Sequence, residues 1–398
     1  MVRFNRLVII VFFLISTALT ANNTTRHLNQ NKLKNLTDSY LKRYHSREHI
    51  SAVTLTIDNG KERTTQYSGN TDFFKFHPVD SSNLYQAGSI AKSFIAAVIL
   101  QLEATPELHF NIDDKLSKYL PQYTEWGDIS VKQLLNMTSG IPDYLEDSNY
   151  LQDLANNPHK QWLSEEKLSY VMNKPLLFAP GTKWNYSNTN YILAGLIITK
   201  LTGNSVAEEL NERFLAPNNP YRLHLQNTFY VSHQYPEYVI PRMVHGYFFG
   251  GTSEQFIPYE TDITDYSLSY AEPAGAIVSN SEDITQWVRA LLTPNRVLTQ
   301  KQLSELTTLV STITGQPLTT PNRDNPNGFG LGIGLSYMEP KFPGLIFNYE
   351  GMTIGYRAQY IYIPKENIII SATTNSSVNP DNDHLIELIS DAYDALSK

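Results

Sequence analysis

The sequence of 398 residues contains no cysteine. Disulfides, thiolate zinc sites, iron–sulfur clusters and cysteine nucleophiles are all excluded by that absence. Positive charge is scarce as well: 31 Lys and Arg stand against 39 Asp and Glu, a formal net charge of −8. A phosphate-binding surface needs excess cations, and no Lys/Arg cluster occurs, so no nucleic-acid partner is expected. The ten histidines show no metal-ligand grouping such as His-x-x-x-His on a helix, and neither a metal nor another cofactor is expected. Long apolar runs are also missing. The most extended, Leu7–Ala21, has 15 residues, short of the roughly 20 that a spanning helix needs. It follows Arg3 and Arg6 and carries small residues at Ser16, Thr17, Ala18 and Ala21. Residues 1–21 therefore read as a signal peptide, with an uncleaved anchor as the other reading. The expectation is an exported protein, periplasmic or secreted, touching a membrane only through this segment.

What is present suits a large α/β (α+β) chain with an ordinary share of apolar residues, 41%. Leu33, Leu36, Tyr40 and Tyr44 recur at helical spacing. Ser51–Ile57 and Thr64–Tyr67, joined through Asp58-Asn59-Gly60, predict a hairpin. Ile90–Leu102 predicts a buried helix. From Pro106 to Tyr270 the strand signal fades, and helices at Val131–Met137, Glu165–Met172 and Tyr191–Leu201 alternate with loops. The aromatic stretch His233–Asp265 has no readable pattern. Strands return at Gly332–Tyr337, Leu345–Tyr349, Gln359–Ile363 and Ile368–Thr373, and a helix at His384–Leu396 follows. Strands at both ends with helices between predict one sheet built from the two termini, flanked by helices, with an inserted helical lobe. That divides residues 22–398 into an α/β lobe, about 30–105 with 271–398, and a helical lobe, about 106–270.

Ser89-Ile90-Ala91-Lys92 places a serine and a lysine three apart, on one face of the buried helix. A serine hydroxyl becomes nucleophilic when a neighbouring base takes its proton, and a lysine whose pKa is lowered by burial can be that base. The same spacing occurs at Ser39/Lys42 and Ser164/Lys167. Only Ser89 follows a glycine, Gly88, and opens an apolar helix. The alternative is Ser89 as a helix cap and Lys92 at the surface. Tyr186-Ser187-Asn188 supplies a phenol, whose pKa a cationic Lys would lower, and an amide to position a substrate carbonyl. These residues would equally serve to cap a following helix.

In this order and separation, Ser89–Lys92 and Tyr186–Asn188 resemble the first two motifs of the serine β-lactamase-like, penicillin-binding family. It includes class C β-lactamases, D-alanyl-D-alanine carboxypeptidases and related esterases. Similar flanking text runs through Leu134-Leu135-Asn136-Met137-Thr138-Ser139-Gly140-Ile141-Pro142-Asp143-Tyr144, Pro180-Gly181-Thr182 and Ala274-Gly275-Ala276-Ile277-Val278-Ser279. The resemblance implies a β-lactamase/transpeptidase-like fold with an antiparallel sheet. It also implies catalysis by Ser89, Lys92 and Tyr186, with Asn188 at the substrate.

The third motif departs from the family, which has Lys-Thr-Gly or His-x-Gly on a strand beside the nucleophile. Here the segment reads Tyr349-Glu350-Gly351-Met352. By resemblance, the oxyanion hole would be the backbone N–H groups of Ser89 and Met352, which side-chain changes leave in place. Tyr349 carries no positive charge at neutral pH, and Glu350 repels a substrate carboxylate if it faces the cleft. Strand faces alternate, so the sequence leaves its direction open. Asp143 and Tyr144 read as turn chemistry ahead of a place lining the cleft, and His245 as a structural or exposed histidine ahead of a base, since it has no acidic neighbour at useful spacing.

The expected activity is that of an exported serine hydrolase acting on a small molecule or peptide, such as a cell-wall peptide or an ester. A carboxypeptidase-like peptidase or esterase comes first and a class C-type β-lactamase second. A non-catalytic binding or sensing module that kept the fold is the rival from outside the enzymes.

Overall fold

The computed structural model describes residues 29–251 and 253–396; the expected signal segment 1–21 lies outside them. Helix α1 (Gln30–Tyr44) is capped by Asn29, whose Oδ1 accepts Lys32 N–H, and it buries Leu33, Thr37, Tyr40 and Tyr44. The hairpin β1 (Ala52–Asp58) and β2 (Arg63–Gly69) follows, then the short β3 (Tyr85–Gln86). A 3-10 turn, Gly88–Ile90, leads into α2 (Ala91–Glu103). Every residue of α2 from Ala91 to Leu102 is buried, as its apolar composition predicts.

The middle of the chain holds α3 (Val131–Leu135), α4 (Ser148–Asn156), α5 (Ser164–Ser169), α6 (Thr189–Thr202) and α7 (Val206–Leu210). Two of these are shorter than the sequence predicts. The helix expected over Val131–Met137 stops at Leu135, and Met137 takes a left-handed backbone at φ 66°. The one expected over Glu165–Met172 starts at Ser164 and ends at Ser169 in turns. The unreadable stretch His233–Asp265 is mostly irregular but pairs β5 (Tyr247–Phe248) with β6 (Thr261–Asp262). The strand β4 (Phe229–Tyr230) pairs with β7 (Ile277–Ser279), which also pairs with β3.

The rest returns to the sheet. After α8 (Ser281–Leu292) and α9 (Gln300–Leu306) come β8 (Leu309–Ser311), β9 (Pro317–Leu318), β10 (Asn327–Phe329) and β11 (Gly334–Tyr337). Next are β12 (Leu345–Met352), β13 (Arg357–Ile363), β14 (Ile368–Thr374) and α10 (Leu385–Leu396). The antiparallel sheet has nine strands in the order β2-β1-β14-β13-β12-β11-β10-β8-β9. Both ends of the chain thus meet at β1 and β14, as the sequence predicts.

Both sheet faces are covered, so β1 and β14 are buried along their whole length. Alternate side chains enter two cores. Ile361, Ile363 and Ile370 face α1 and α10, whereas Ala358, Tyr360 and Ile369 face the larger core around α2. Trp287 of α8 stacks on Phe94 of α2 at 3.7 Å between centroids, and its Nε1–H donates to Ser93 Oγ at 2.8 Å. On the far face, Lys32 Nζ donates to the Ala395 carbonyl at 2.9 Å, tying the first turn of α1 to the last turn of α10.

Candidate active site

The turn bearing Ser89 and the strand β12 are in contact because two glycines allow it. Gly88 has φ 52°, and a Cβ there would lie 2.9 Å from Met352 N. A Cβ on Gly351 would meet Ala87 O at 1.9 Å and Ser89 N at 2.9 Å. Thr353 N–H donates to Tyr356 O at 2.9 Å, while the ladder pairs Met352 with Arg357. Hydrogen-bonded and non-bonded pairs alternate in such a ladder, so Met352 N–H points away from β13, toward the Ser89 turn. The two N–H groups expected to form an oxyanion hole therefore lie on facing edges.

Lys92 stands one turn along α2 from Ser89, with no surface exposed. Its Nζ donates to Ser89 Oγ at 2.9 Å, Asn188 Oδ1 at 2.7 Å and Ala274 O at 3.1 Å. The three donors of an ammonium are thus all matched. Burial pushes its pKa below the ordinary lysine value, to about 7, against the attraction of the Asp143 carboxylate. A neutral amine in contact with Ser89 is then accessible near neutral pH, which is the condition for a general base.

The Tyr186 hydroxyl lies 2.6 Å from Ser89 Oγ. Its environment differs from the expectation of a phenol acidified by a neighbouring cation. Burial dominates and pushes the pKa up, and the hydroxyls of Ser89 and Tyr349 offset this only in part. That direction keeps the Tyr186 phenol in its neutral form. Asn188 precedes α6, but its side chain makes no capping bond. It bridges instead, with Nδ2 donating to Asp143 Oδ2 at 2.7 Å.

Asp143 corrects the reading of its segment as mere turn chemistry. It does cap a turn, accepting Leu145 N–H at 3.1 Å, yet it is also buried at the cleft floor beside Asn188. Burial raises its pKa, while the Asn188 and Leu145 N–H groups and the Lys92 charge pull it down. Tyr144 is wholly buried and donates to the Tyr270 carbonyl at 2.7 Å. His245 also differs from expectation, because the fold supplies the acids its sequence neighbours lack. Its Nδ1 is 2.6 Å from Asp262 and its Nε2 3.8 Å from Asp72, in a separate groove.

The third motif splits across the strand. Tyr349 turns inward, buried against Phe329 and Tyr186, and does not line the cleft. Glu350 and Met352 do line it, and Glu350 is exposed there. Desolvation at the cleft wall and then the adjacent Asp383 carboxylate push the Glu350 pKa up to about 8, and Arg357 only partly offsets this. Arg357, wholly buried, is already engaged by Asp383 at 2.8 Å and Glu48 at 2.7 Å. One cation thus serves three carboxyl groups.

The cleft encloses about 840 Å³, with Ser89, Asp143, Tyr186 and Asn188 among its lining residues. Sequence reading missed much of the remaining wall. Phe248, Gly250 and Ser253 come from the unreadable stretch, and Asn379 and Asp383 from the loop before α10. Among the described residues, no Lys or Arg lines it.

The family model described as Beta-lactamase matches residues 30–394. Penicillin-binding protein 4* of Bacillus subtilis (strain 168) is 25% identical over 352 residues, covering 86% of this chain and 72% of the relative. Protein flp of Staphylococcus aureus (strain NCTC 8325 / PS 47) is 26% identical over 336 residues; 83% of this chain matches, spanning 60% of that relative's length. The structure of the D-amino acid amidase from Ochrobactrum anthropi SV3 complexed with D-phenylalanine has a TM-score of 0.74 at 23% identity. That match covers 92% of this chain and 99% of the amidase, a likeness of fold.

Proposed function

The chain belongs to the beta-lactamase family of serine acyl-transfer hydrolases, and from that premise we propose that it is an exported peptidase or esterase acting through an acyl-enzyme on Ser89. The observation that carries this reading is the hydrogen-bonded group of Ser89, Lys92 and Tyr186, of which Ser89 and Tyr186 line the cleft and Lys92 lies buried behind them. Neutral Lys92 takes the Ser89 proton as Oγ attacks a carbonyl carbon. The developing oxyanion rests on the Ser89 and Met352 N–H groups. Tyr186, still protonated, gives its proton to the leaving group and regains one through Lys92, and water then hydrolyses the ester.

The cleft wall supports a choice among substrates. A β-lactam or a C-terminal D-alanyl peptide carries a carboxylate near the scissile bond, which calls for a cation. Asp383, held ionised beside Arg357, and Glu350 stand in the wall instead, and among the described residues no Lys or Arg does. Uncharged esters and amides, or peptides bearing a free amine, therefore rank ahead of β-lactams, with the β-lactamase reading second.

The test compares penicillin with D-phenylalanine amide and a neutral nitrophenyl ester, using Ser89→Ala as control. Ser89-dependent turnover of the amide or ester, without a penicillin adduct by intact mass or loss of the drug, is expected. A fast Ser89-dependent penicilloyl adduct would restore the carboxypeptidase and β-lactamase readings to first place. Silence toward every substrate and toward a fluorophosphonate would favour a binding module. The Glu350 carboxyl, pushed up to about 8, adds a pH signature: it loses its charge as pH falls through that region. Reaction of penicillin relative to the neutral ester should then improve toward lower pH, and Glu350→Gln should flatten that trend.

A further inference from the structure

Asp143 is a buried carboxylate with no part in the steps above. Its two oxygens accept Leu145 N–H at 3.1 Å and Asn188 Nδ2–H at 2.7 Å. Asn188 in turn presents Oδ1 to Lys92 Nζ at 2.7 Å. The three side chains form a line from carboxylate to amide to amine, with Ser89 at its end.

We propose that Asp143 is a positioning residue, whose carboxylate holds the Asn188 amide in one orientation while Lys92 gains and loses its proton. The inference rests on Ser89 as nucleophile and Lys92 as base. Its logic lies in the donor and acceptor chemistry of the line. An ammonium only donates, so it fixes Asn188 with Oδ1 toward it. A neutral amine can also accept, so at the moment Lys92 is competent as a base it no longer dictates which end of the amide it meets. Asp143 accepts in both states. It keeps Oδ1 on Lys92 and leaves the second Nδ2 hydrogen free for a substrate carbonyl.

The same carboxylate acts on Lys92 through its charge. The groups facing Lys92 Nζ are Ser89, the Asn188 amide, the Ala274 carbonyl, and the rings of Tyr186 and Tyr191 at 4.8 and 5.4 Å. Asp143 supplies the charge that favours the ammonium against burial. Withdrawing it lowers the Lys92 pKa further, so the neutral base persists to lower pH.

The experiment is the second-order rate of Ser89 labelling by a fluorescent fluorophosphonate, measured across pH on the full chain, with Ser89→Ala as blank. Asp143→Asn keeps one acceptor oxygen, which can serve Asn188 at the cost of the Leu145 cap, and loses the charge. Its acid limb should move about one unit to lower pH, with a plateau within about tenfold of the parent. Asp143→Ser keeps the cap and withdraws from Asn188. It should show the same limb shift and a plateau lower by roughly 10- to 100-fold. Asp143→Glu keeps charge and acceptor and should keep the parental limb. Thermal melts establish that each variant is folded, and Asp143→Ser carries the test if Asp143→Asn does not fold.

An unmoved acid limb in Asp143→Asn, or parental labelling in Asp143→Ser, overturns the inference. A parent that is not labelled at Ser89 overturns the nucleophile assignment and the inference with it.

Discussion

Two lysines of this chain stand three residues after a serine, have no exposed surface and are shifted in the same direction by burial, Lys92 to about 7 and Lys167 to about 8. They differ in what receives their protons. Lys92 donates to a serine hydroxyl and an amide at the floor of a cleft. Lys167 donates to two backbone carbonyls, Ser269 O at 2.7 Å and Glu272 O at 2.6 Å. A third pair, Ser39 and Lys42, lies exposed on α1. Burial and a depressed pKa are therefore common to the lysine proposed as base and to one that ties two backbone carbonyls together. What makes a base is the acceptor it meets, and that partner is chosen by the fold rather than by the spacing. The two sites also touch in sequence, since the segment gripped by Lys167 runs on to Ala274, whose carbonyl receives Lys92. Lys167 shapes the wall against which Lys92 is set.

Replacing each lysine should pull these roles apart. The largest effect is expected for Lys92→Met, which should cut fluorophosphonate labelling of Ser89 by 10²-fold or more. Labelling within tenfold of the parent would abolish the distinction. Lys167→Met should do the reverse, costing about 1–4 kcal/mol in chemical denaturation through two unsatisfied buried carbonyls. Its labelling should change only a few-fold; a collapse as deep as that of Lys92→Met would make the two lysines equivalent.

A smaller, pH-dependent signal should sharpen the contrast. The folded pKa of Lys167 lies below its ordinary value of 10.5, so between about 8 and 10.5 the unfolded chain binds more protons. Stability of the parent relative to Lys167→Met should thus rise with pH in that window, by at most about 1.4 kcal/mol per unit, and be flat below it. A relative stability that falls with pH there would contradict the assignment. Ser39→Ala with Lys42→Met should alter labelling not at all and stability by less than about 0.5 kcal/mol.

The same contrast explains what the sequence could disclose. Local patterns carried the fold, because β-branched runs in the last third and the apolar Ile90–Leu102 each state their own burial. The hairpin expected at Ser51–Ile57 and Thr64–Tyr67 appears as β1 and β2 with small changes at the ends. Met137 shows where local pattern fails: a left-handed residue cut its helix short without a glycine to announce it. Within the site, Ser89, Lys92, Tyr186 and Asn188 were legible as motifs, and their contacts join segments 96 to 97 residues apart. Asp143 was not, since a turn cap and a bridge to a distant amide use the same carboxylate. The raised pKa of Tyr186 was also illegible, because the sequence names the cation beside it and not the depth at which both lie. The direction of Glu350 awaited a register, and the aromatic wall from His233–Asp265 has no period to read.

The bond from Lys32 Nζ to the Ala395 carbonyl also has a consequence for topology. The first and last described residues lie side by side on the sheet face that carries α1 and α10, so the stretch from 29 to 396 is nearly a closed ring with one small gap. A short splice there, with new ends cut at the Asn59-Gly60 bend, would give a circular permutant that leaves the strand order and the cleft in place.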